Sequence, residues 1–295
     1  MEVMDGILSI NKPKGYTSHD VVAIVRKKLN TKKVGHTGTL DPNATGVLPI
    51  CVGRATKFAS IISGSNKTYR ANIILGKTTD TLDITGEVLS EKKVTSTKEE
   101  IEKAVRSFVG EIEQIPPMYS AIKVDGVRLY KLARKDIIIE RQPRKVTITD
   151  IKIISFVSEV ELIIEVACSS GTYIRTLCDD IGEKLGCGAV MGDLQRVESG
   201  GFTLTQCKEI DDFSAEDLMG IEQLFKDKVK LTVKPNGQKF LDNGNKLSIN
   251  FIENKCELTQ SEGKEYLVYS ENNAKFYGIY KLEANDMLKP TFFVG

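Results

Sequence analysis

One carboxylate, Asp41, lies in a segment rich in glycine and small hydroxylated residues, residues 35–49 (GHTGTLDPNATGVLP). The glycines permit backbone conformations that other residues resist, and Pro42 biases Asp41 toward an extended conformation. Asp-Pro-Asn is also typical of a turn, because proline is preset for the second turn position. We therefore predict a shaped loop that presents a single acid. Spacing alone, however, favours an ordinary acidic turn.

A second candidate side chain, Arg175, lies at the start of a predicted helix. Residues 160–168 have the pattern of a strand, and residues 169–171 form a turn after it. Apolar residues then recur at helical spacing, at Ile174, Leu177, Ile181 and Leu185. Strand ends and helix starts often carry functional groups, although an arginine there is more often a surface residue.

Other patterns predict the elements around these candidates. A helix is predicted over residues 19–29 with Ser18 as its N-cap, and a strand over residues 69–75. The motif Thr97-x-x-Glu100 predicts a capping box at the start of another helix.

The pattern changes at about residue 229, where helical periodicity gives way to short strands. We predict strands at residues 246–252, 265–269, 275–282 and 291–294, with turn pairs at Asn236-Gly237, Asn243-Gly244 and Asn272-Asn273. The chain is therefore divided into two domains, residues 1–228 and 229–295, and the second is predicted to be a small all-β module.

The 295 residues are 41% hydrophobic and 27% charged, which is typical of a soluble globular protein. No apolar run approaches the roughly 20 residues needed to span a bilayer, and the first residues lack a signal-peptide pattern. We therefore expect a cytoplasmic protein without a membrane partner. The six cysteines have no metal-binding spacing, so we expect reduced, mostly buried thiols and no metal.

The net charge of +1 hides an uneven distribution. Residues 1–80 carry twelve basic and five acidic side chains, and residues 123–145 carry eight and three. Residues 198–227 carry two basic and eight acidic side chains. Basic segments that fold onto one face would supply a phosphate-binding surface. Scattered ion pairs on solvated faces remain an alternative explanation.

Residues 35–49 closely resemble the signature GHTGTLDPxATGxLP of the TruB family of tRNA pseudouridine synthases. The resemblance extends over about residues 5–200, through further segments that are similar to family landmarks: residues 11–18 (NKPKGYTS), 67–70 (KTYR), 118–123 (MYSAIK) with 129–130 (LY), and 169–175 (SSGTYIR). It implies an α+β pseudouridine synthase fold, with a mixed, largely antiparallel sheet and flanking helices. Residues 118–145 would be an RNA-clasping insertion, and the C-terminal module would be a PUA-like β-barrel.

The resemblance implies an isomerase that converts uridine-55 in the T-loop of tRNA to pseudouridine by base flipping, without guide RNA or cofactor. Asp41 would be the nucleophile, Arg175 its ion-pair partner, and Tyr69 a stacking group and candidate for proton transfer. The reaction breaks an N-glycosidic bond and rejoins the sugar through carbon. A carboxylate can attack or stabilise the electron-poor sugar carbon, as in glycosidases. Whether Asp41 attacks the sugar or the base stays open.

The resemblance also implies RNA-binding residues. His36 would help to prop open the loop that loses its base, although a histidine that only caps the loop by a hydrogen bond is an alternative. Tyr173 and Leu194 would shape the uracil pocket. The basic side chains interpreted as phosphate contacts are Arg54, Lys57 and Lys67.

Two positions depart from the family pattern. Ser170 stands where many relatives carry lysine, and Gln195 stands where a second arginine often follows the Leu194 position. Both put RNA affinity, rather than catalysis, in doubt. The expected partner is tRNA, at its T-arm and elbow, with a monomeric enzyme and no obligate protein partner. Two alternatives stay open: a tRNA-binding folding factor whose role is separable from catalysis, and the catalytic subunit of a guide-RNA complex.

Overall fold

The computed structural model describes residues 4–124, 126–135, 137–258, 262–271 and 275–295. These residues form a ten-stranded sheet, a five-stranded sheet and two small two-stranded sheets. In chain order the strands are β1 (Gly6–Lys12), β2 (Val34–His36), β3 (Thr45–Val52), β4 (Lys67–Leu75), β5 (Lys77–Thr79), β6 (Val88–Glu91), β7 (Gly110–Gln114), β8 (Lys123–Val124), β9 (Val127–Arg128), β10 (Arg144–Phe156), β11 (Glu161–Cys168), β12 (Ala189–Ser199), β13 (Phe202–Thr203), β14 (Lys208–Glu209), β15 (Lys230–Thr232), β16 (Leu247–Ser248), β17 (Glu265–Tyr269), β18 (Phe276–Leu282) and β19 (Met287–Phe293). The α-helices of the same residues are α1 (Ser18–Lys28), α2 (Ala59–Gly64), α3 (Lys98–Arg106), α4 (Leu129–Ala133), α5 (Ile174–Lys184) and α6 (Gln238–Asp242).

The large sheet is mixed, and its strand order differs from chain order. The order is β14-β1-β3-β12-β4-β11-β10-β7, with β2 beside β3 and β13 beside β12. The β14–β1 and β12–β3 pairs are parallel, and the other pairs are antiparallel. The predicted α+β class, with a largely antiparallel mixed sheet and flanking helices, is confirmed. Because β12 inserts between β3 and β4, residues far apart in the chain meet at the centre of the sheet.

The helix starts near this sheet are capped by side chains. The Thr17 side chain accepts a hydrogen bond from the Asp20 N–H, and the Asp20 carboxylate accepts one from the Thr17 N–H. Thr17, and not the predicted Ser18, is therefore the N-cap of α1. Ser18 is buried instead, and its hydroxyl exchanges hydrogen bonds with the backbone of Leu40. The capping box predicted at Thr97 is confirmed.

The main core lies on one face of the large sheet. There α1, α3 and α5 contribute apolar side chains such as Val21, Ile101 and Leu177 to one buried cluster, which also contains alternate residues of β4 and β11. The opposite face of the same strands carries charged side chains, including Arg70, which pairs with Glu165 at 2.8 Å. Alternation of this kind is expected for antiparallel strands that are covered by helices on one side only.

The C-terminal sheet runs in the order β15-β17-β18-β19-β16, and its β15–β17 pair is parallel. The strand predicted at residues 265–269 is confirmed. The all-β prediction is wrong in part, because a helical turn (Pro235–Gly237) and α6 follow β15. The strand predicted at residues 246–252 is reduced to β16 and is followed by a second helical turn (Ile249–Phe251). The predicted turn at Asn272-Asn273 lies outside the described residues. The domain boundary at 228/229 stays a proposal.

An aromatic cluster joins the two sheets. The Phe58 ring lies 5.4 Å from the ring of Phe292 and 6.1 Å from that of Phe225. Ile7 and Val47 of the large sheet belong to the same buried cluster. The C-terminal module therefore packs directly against β1 and β3. None of the helices that the structure describes is both long and apolar enough to cross a membrane.

Candidate functional site

The loop that carries Asp41, residues 37–44, connects β2 and β3, which pair with each other in antiparallel fashion. The N–H of Ala44 donates to the carbonyl of Asp41 at 3.0 Å, which closes a turn around the acid. The Asp41 side chain is 46% exposed. The predicted shaped loop is therefore confirmed, and it presents its carboxylate to solvent.

Groups from β1, from α1 and from the turn between them form hydrogen bonds with the backbone of this loop. Lys12 Nζ and the Gly15 N–H both donate to the carbonyl of Pro42, at 3.2 and 2.8 Å. On the other side of the acid, the Leu40 N–H donates to Ser18 Oγ at 2.9 Å. The backbone is thus fixed immediately before and immediately after Asp41.

Arg175 meets this carboxylate from the first turn of α5. Its Nη2 lies 3.2 Å from Asp41 Oδ2, although Arg175 itself is only 7% exposed. The same guanidinium donates to the carbonyls of Tyr119, at 2.7 Å, and of Thr81, at 3.3 Å, and it lies 4.0 Å from Asp83 Oδ2. Because these groups hold the guanidinium, it can fix a carboxylate oxygen by a charge-assisted hydrogen bond.

Tyr69 points into the interior beside the loop. It lies on β4 and is 8% exposed. Burial raises the pKa of its phenol, whereas the charge of Arg196 opposes the rise. The nearby charge of Asp41 also raises this pKa. The structure therefore brings the ring, the carboxylate and a second arginine to the same place.

Tyr173 and Leu194 are the two residues predicted to shape the uracil pocket. Tyr173 immediately precedes α5, and its backbone exchanges hydrogen bonds with the side chain of Gln114. Burial raises the pKa of the Tyr173 phenol, and the charge of Asp41 raises it further. Leu194 lies on β12 and packs, partly buried, against the main core. The effect of the Asp41 charge indicates that the Tyr173 phenol is near the acid. The place of Leu194 in a uracil pocket stays a prediction.

His36 ends β2, one residue before the loop. Its Nδ1 accepts a hydrogen bond from the Gly38 N–H at 3.3 Å, and its ring lies edge-on to His19 with the centroids 5.2 Å apart. Burial, with the charges of His19, Arg196 and Arg128, lowers the pKa of His36 to about 4. The imidazole is therefore neutral near neutral pH.

This lowered pKa predicts a pH-dependent contribution to stability. Between pH 6.5 and about 4, His36 is protonated in the unfolded chain but stays neutral in the folded chain. The free energy of unfolding therefore falls as the pH falls through that range, because protonation of His36 favours the unfolded chain. His36→Gln is expected to lose less stability than the wild type between pH 7 and pH 4.5 in urea titrations. A difference between the two proteins that is the same at both pH values would contradict the prediction.

The basic side chains interpreted as phosphate contacts donate hydrogen bonds to backbone carbonyls of the protein itself. Lys67 is 7% exposed, and its ammonium donates to the carbonyls of Ser63 and Ser65, both at 2.8 Å. Burial lowers its pKa to about 8. Two of the three donors of this ammonium are therefore bound to backbone. The proposed substrate contact of Lys67 stays a prediction.

Arg54 is also engaged inside the protein. It forms an ion pair with Asp5 and donates to the carbonyl of Val294 at 2.8 Å. This contact links the catalytic part of the chain to its C-terminus. Because the Arg54 side chain is 39% exposed, its proposed phosphate contact stays a prediction. Lys57 donates to the carbonyl of Phe293 at 3.0 Å but is exposed, so its proposed RNA contact stays a prediction.

Two buried cations beside the loop were missed from the sequence. Lys12 is fully buried, and burial lowers its pKa to about 8 while the charge of Asp41 opposes the change. Arg196 is 1% exposed and donates from Nε to the carbonyl of Val47 at 2.7 Å and from Nη2 to that of Gly38 at 3.2 Å. Both residues lie in strands among residues that face the interior, and this position could have indicated their burial. A count of charges along the sequence does not take it into account.

The end of the loop requires glycine at position 46. Gly46 has a φ of +105°, and an added Cβ would lie 2.2 Å from the carbonyl oxygen of Arg196 on the neighbouring strand. Gly46→Ala is therefore expected to lower the free energy of unfolding by about 3 kcal/mol or more. Gly35→Ala is the control, because a Cβ there meets nothing within 4 Å. Equal losses in urea titrations of the two variants would contradict the prediction.

Comparison with known proteins gives a consistent result. Residues 26–174 match the model of the TruB family pseudouridylate synthase (N terminal domain), and residues 175–236 match that of the tRNA pseudouridylate synthase B C-terminal domain. A tRNA pseudouridine synthase B of Alkaliphilus oremlandii (strain OhILAs) is 50% identical over 285 residues, which cover 95% of this chain and 94% of the relative. A protein of the same name from Clostridium perfringens (strain 13 / Type A) is 46% identical over 284 residues, which cover 94% and 95%.

Solved structures share the fold at lower identity. The crystal structure of a Cbf5-Nop10-Gar1 complex matches with a TM-score of 0.73 and 24% identity, covering 100% of this chain and 85% of that chain. The structure of an H/ACA RNP bound to a substrate RNA containing 2'-deoxyuridine matches with a TM-score of 0.69 and 22% identity, covering 95% and 79%. The fold is the pseudouridine synthase fold with a PUA-like C-terminal module, and the sequence matches show that this chain belongs to the TruB family of pseudouridine synthases.

Proposed function

We propose that this chain isomerises uridine-55 in the T-loop of tRNA to pseudouridine, alone and without guide RNA. The observation that carries the proposal is the contact between the exposed carboxylate of Asp41 and the buried guanidinium of Arg175, 3.2 Å apart. The names of the relatives, tRNA pseudouridine synthase B, support tRNA as the substrate. The intact pair of charged groups favours an enzyme over a tRNA-binding factor without chemistry.

In the proposed mechanism, Asp41 is the nucleophile. The N-glycosidic bond of the uridine breaks, the base turns, and a carbon of the base bonds to the sugar. That carbon loses its hydrogen as a proton and the freed ring nitrogen takes up a proton, so the product is an isomer with no net change in oxidation state. A carboxylate suits this step because it can attack or stabilise an electron-poor centre. Arg175 orients it, since its own position is set by the carbonyls of Tyr119 and Thr81. No cofactor is part of the proposal.

The surrounding side chains suit a flipped base. Tyr69 would stack on the uracil and is the candidate for proton transfer, while Tyr173 and Leu194 would border the pocket. His36, at the rim of the loop, would support the RNA from which the base has left. Its neutral imidazole is suited to stacking and hydrogen bonding rather than to pairing with phosphate.

The proposed RNA partner surface includes the insertion, residues 118–145. Its described part contains the β8–β9 hairpin and α4, and its sequence is basic. Phosphate contacts from such a segment would hold the T-arm and elbow of tRNA. We further propose a monomeric, cytoplasmic enzyme without an obligate protein partner.

A minimal substrate tests the proposal. The pure protein is incubated with a T-arm stem-loop RNA, and pseudouridine is mapped by chemical modification and primer extension. Conversion at position 55 alone, without guide RNA, is the expected result. A stem-loop with cytidine at that position is the control and should give no signal. Conversion that requires an added guide RNA, or that occurs at another uridine, would contradict the proposal.

A further inference from the structure

Arg196 is a buried cation with no carboxylate partner among the residues that the structure describes. It is 1% exposed, and the hydrogen bonds of its guanidinium to backbone go to the carbonyls of Gly38 and Val47. Burial of an arginine without an ion pair is costly, because carbonyl dipoles replace only part of its hydration. Its presence at the centre of the sheet therefore calls for a specific role.

The position of Arg196 in the sheet links two parts of the candidate site. On β12, Arg196 is opposite Gly46 of β3 on one side and opposite Tyr69 of β4 on the other. The β12–β4 register shifts on both sides of this segment, between Met191 and Leu194 and between Arg196 and Glu198. Irregularities of this kind redirect side chains. Here the guanidinium contacts the backbone on both sides of Asp41, at Gly38 in the loop and at Val47 in β3.

The chemistry of the guanidinium defines its contact with Tyr69. The two residues lie opposite each other on β12 and β4, and arginine donates hydrogen bonds but accepts none, so the phenol oxygen is the acceptor in a hydrogen bond between them. The hydroxyl hydrogen of Tyr69 is then directed away from Arg196. The charged and titratable groups around this phenol are Arg196 from β12, Cys168 from β11 and Asp41 from the loop, and of these Arg196 alone favours negative charge on the oxygen.

We propose that Arg196 is a positioning residue, whose guanidinium connects the phenol of Tyr69 to the backbone on both sides of Asp41 and keeps the ring, its hydroxyl and the carboxylate in a fixed relation during catalysis. This inference rests on the proposed function. It assigns Arg196 no contact with the uridine. Its effect on the reaction therefore passes through the phenol oxygen, and this makes the proposal testable by coupling to Tyr69.

A double-mutant cycle measures that coupling. Arg196→Lys is expected to lower the single-turnover rate on the T-arm stem-loop by about 30-fold, with the Kd for RNA unchanged within about threefold. In a Tyr69→Phe background the same substitution is expected to change the rate by less than about threefold, because the acceptor oxygen is already gone. Arg70→Lys is the matched control, since Arg70 lies on β4, next to Tyr69 but on the opposite face of the sheet. Equal rate losses from Arg196→Lys in both backgrounds would overturn the proposal.

A second measurement needs neither catalysis nor an altered Arg196. In protein labelled with ¹⁵N-arginine, the guanidinium resonances of Arg196 should be protected from exchange with water because the side chain is enclosed. Tyr69→Phe is expected to shift them, whereas Tyr173→Phe should not. Unchanged resonances in Tyr69→Phe would overturn the proposed contact. Failure of the wild type to convert the stem-loop would overturn the proposed function instead, and these spectra would still decide whether the contact exists.

Discussion

Asp41→Asn is expected to lower the single-turnover rate of pseudouridine formation by about 10⁴-fold or more, while the Kd for the T-arm stem-loop stays within about threefold of the wild-type value. Asparagine has nearly the same shape but no negative charge, so it can accept from Arg175 but cannot act as a nucleophile. The loop itself should persist. Its backbone is held by Lys12, Gly15 and Ser18 and not by the Asp41 carboxylate.

Rate and binding must be measured on the same preparation. Rates come from single-turnover assays with enzyme in excess, and Kd values from fluorescence anisotropy of labelled stem-loop. Asp211→Asn is the matched control, because Asp211 is exposed and lies outside the candidate site. Retained binding with lost conversion would separate the chemistry from RNA binding. Conversion by Asp41→Asn at the wild-type rate would refute the assignment of the nucleophile.

Local patterns predicted the elements around the site well. The Asp41 loop, the strand that carries Tyr69 and the helix that begins near Arg175 all follow from turn residues and periodicity. The close approach of these three elements does not follow from the same patterns. It depends on the insertion of β12 between β3 and β4, a long-range pairing that local residue preferences do not encode. The expected pairing of Asp41 and Arg175 came from the family resemblance and not from spacing.

Charge was the least reliable guide. The number of basic side chains in residues 1–80 predicts a phosphate-binding surface only if most of these lysines and arginines are exposed. Lys12 and Lys67 are instead buried, and their ammonium groups donate to backbone carbonyls. Whether a basic side chain finds carbonyl partners inside the fold depends on tertiary structure. A sequence therefore gives the number of cations, while the structure decides which of them can face a phosphate.

The N-cap of α1 shows the same limit at short range. Thr17 and Ser18 are both suitable capping residues, and sequence preference hardly separates them. Asp20, three residues after Thr17, completes a capping box only with Thr17. Ser18 is thereby free to bond with Leu40, a residue of the Asp41 loop. The choice of Thr17 as the N-cap of α1 therefore also leaves Ser18 available for its contact with the Asp41 loop.

Arg175→Met is expected to have the second-largest effect, a rate loss of about 10³-fold at saturating RNA. Methionine keeps much of the volume but removes the hydrogen bond to Asp41 and those to the carbonyls of Tyr119 and Thr81. Two carbonyls would lose a partner, so the free energy of unfolding should also fall by about 1–3 kcal/mol. Arg175→Lys keeps the charge but not the planar fork of donors, and its rate should lie between those of the wild type and Arg175→Met.

Comparison of rate with stability distinguishes orientation of Asp41 from a general loss of structure. The exposed Arg106 at the end of α3 provides the matched control, Arg106→Met, which should change neither quantity appreciably. In an Asp41→Asn background, Arg175→Met should still destabilise the protein, because the two carbonyls lose their partner there too, but it should cause little further loss of the residual rate. If Arg175→Met instead costs as much rate in that background as in the wild type, then Arg175 does not act through Asp41. The Asp41–Arg175 ion pair would then contribute only to the structure of the site, and another group would have to orient the nucleophile.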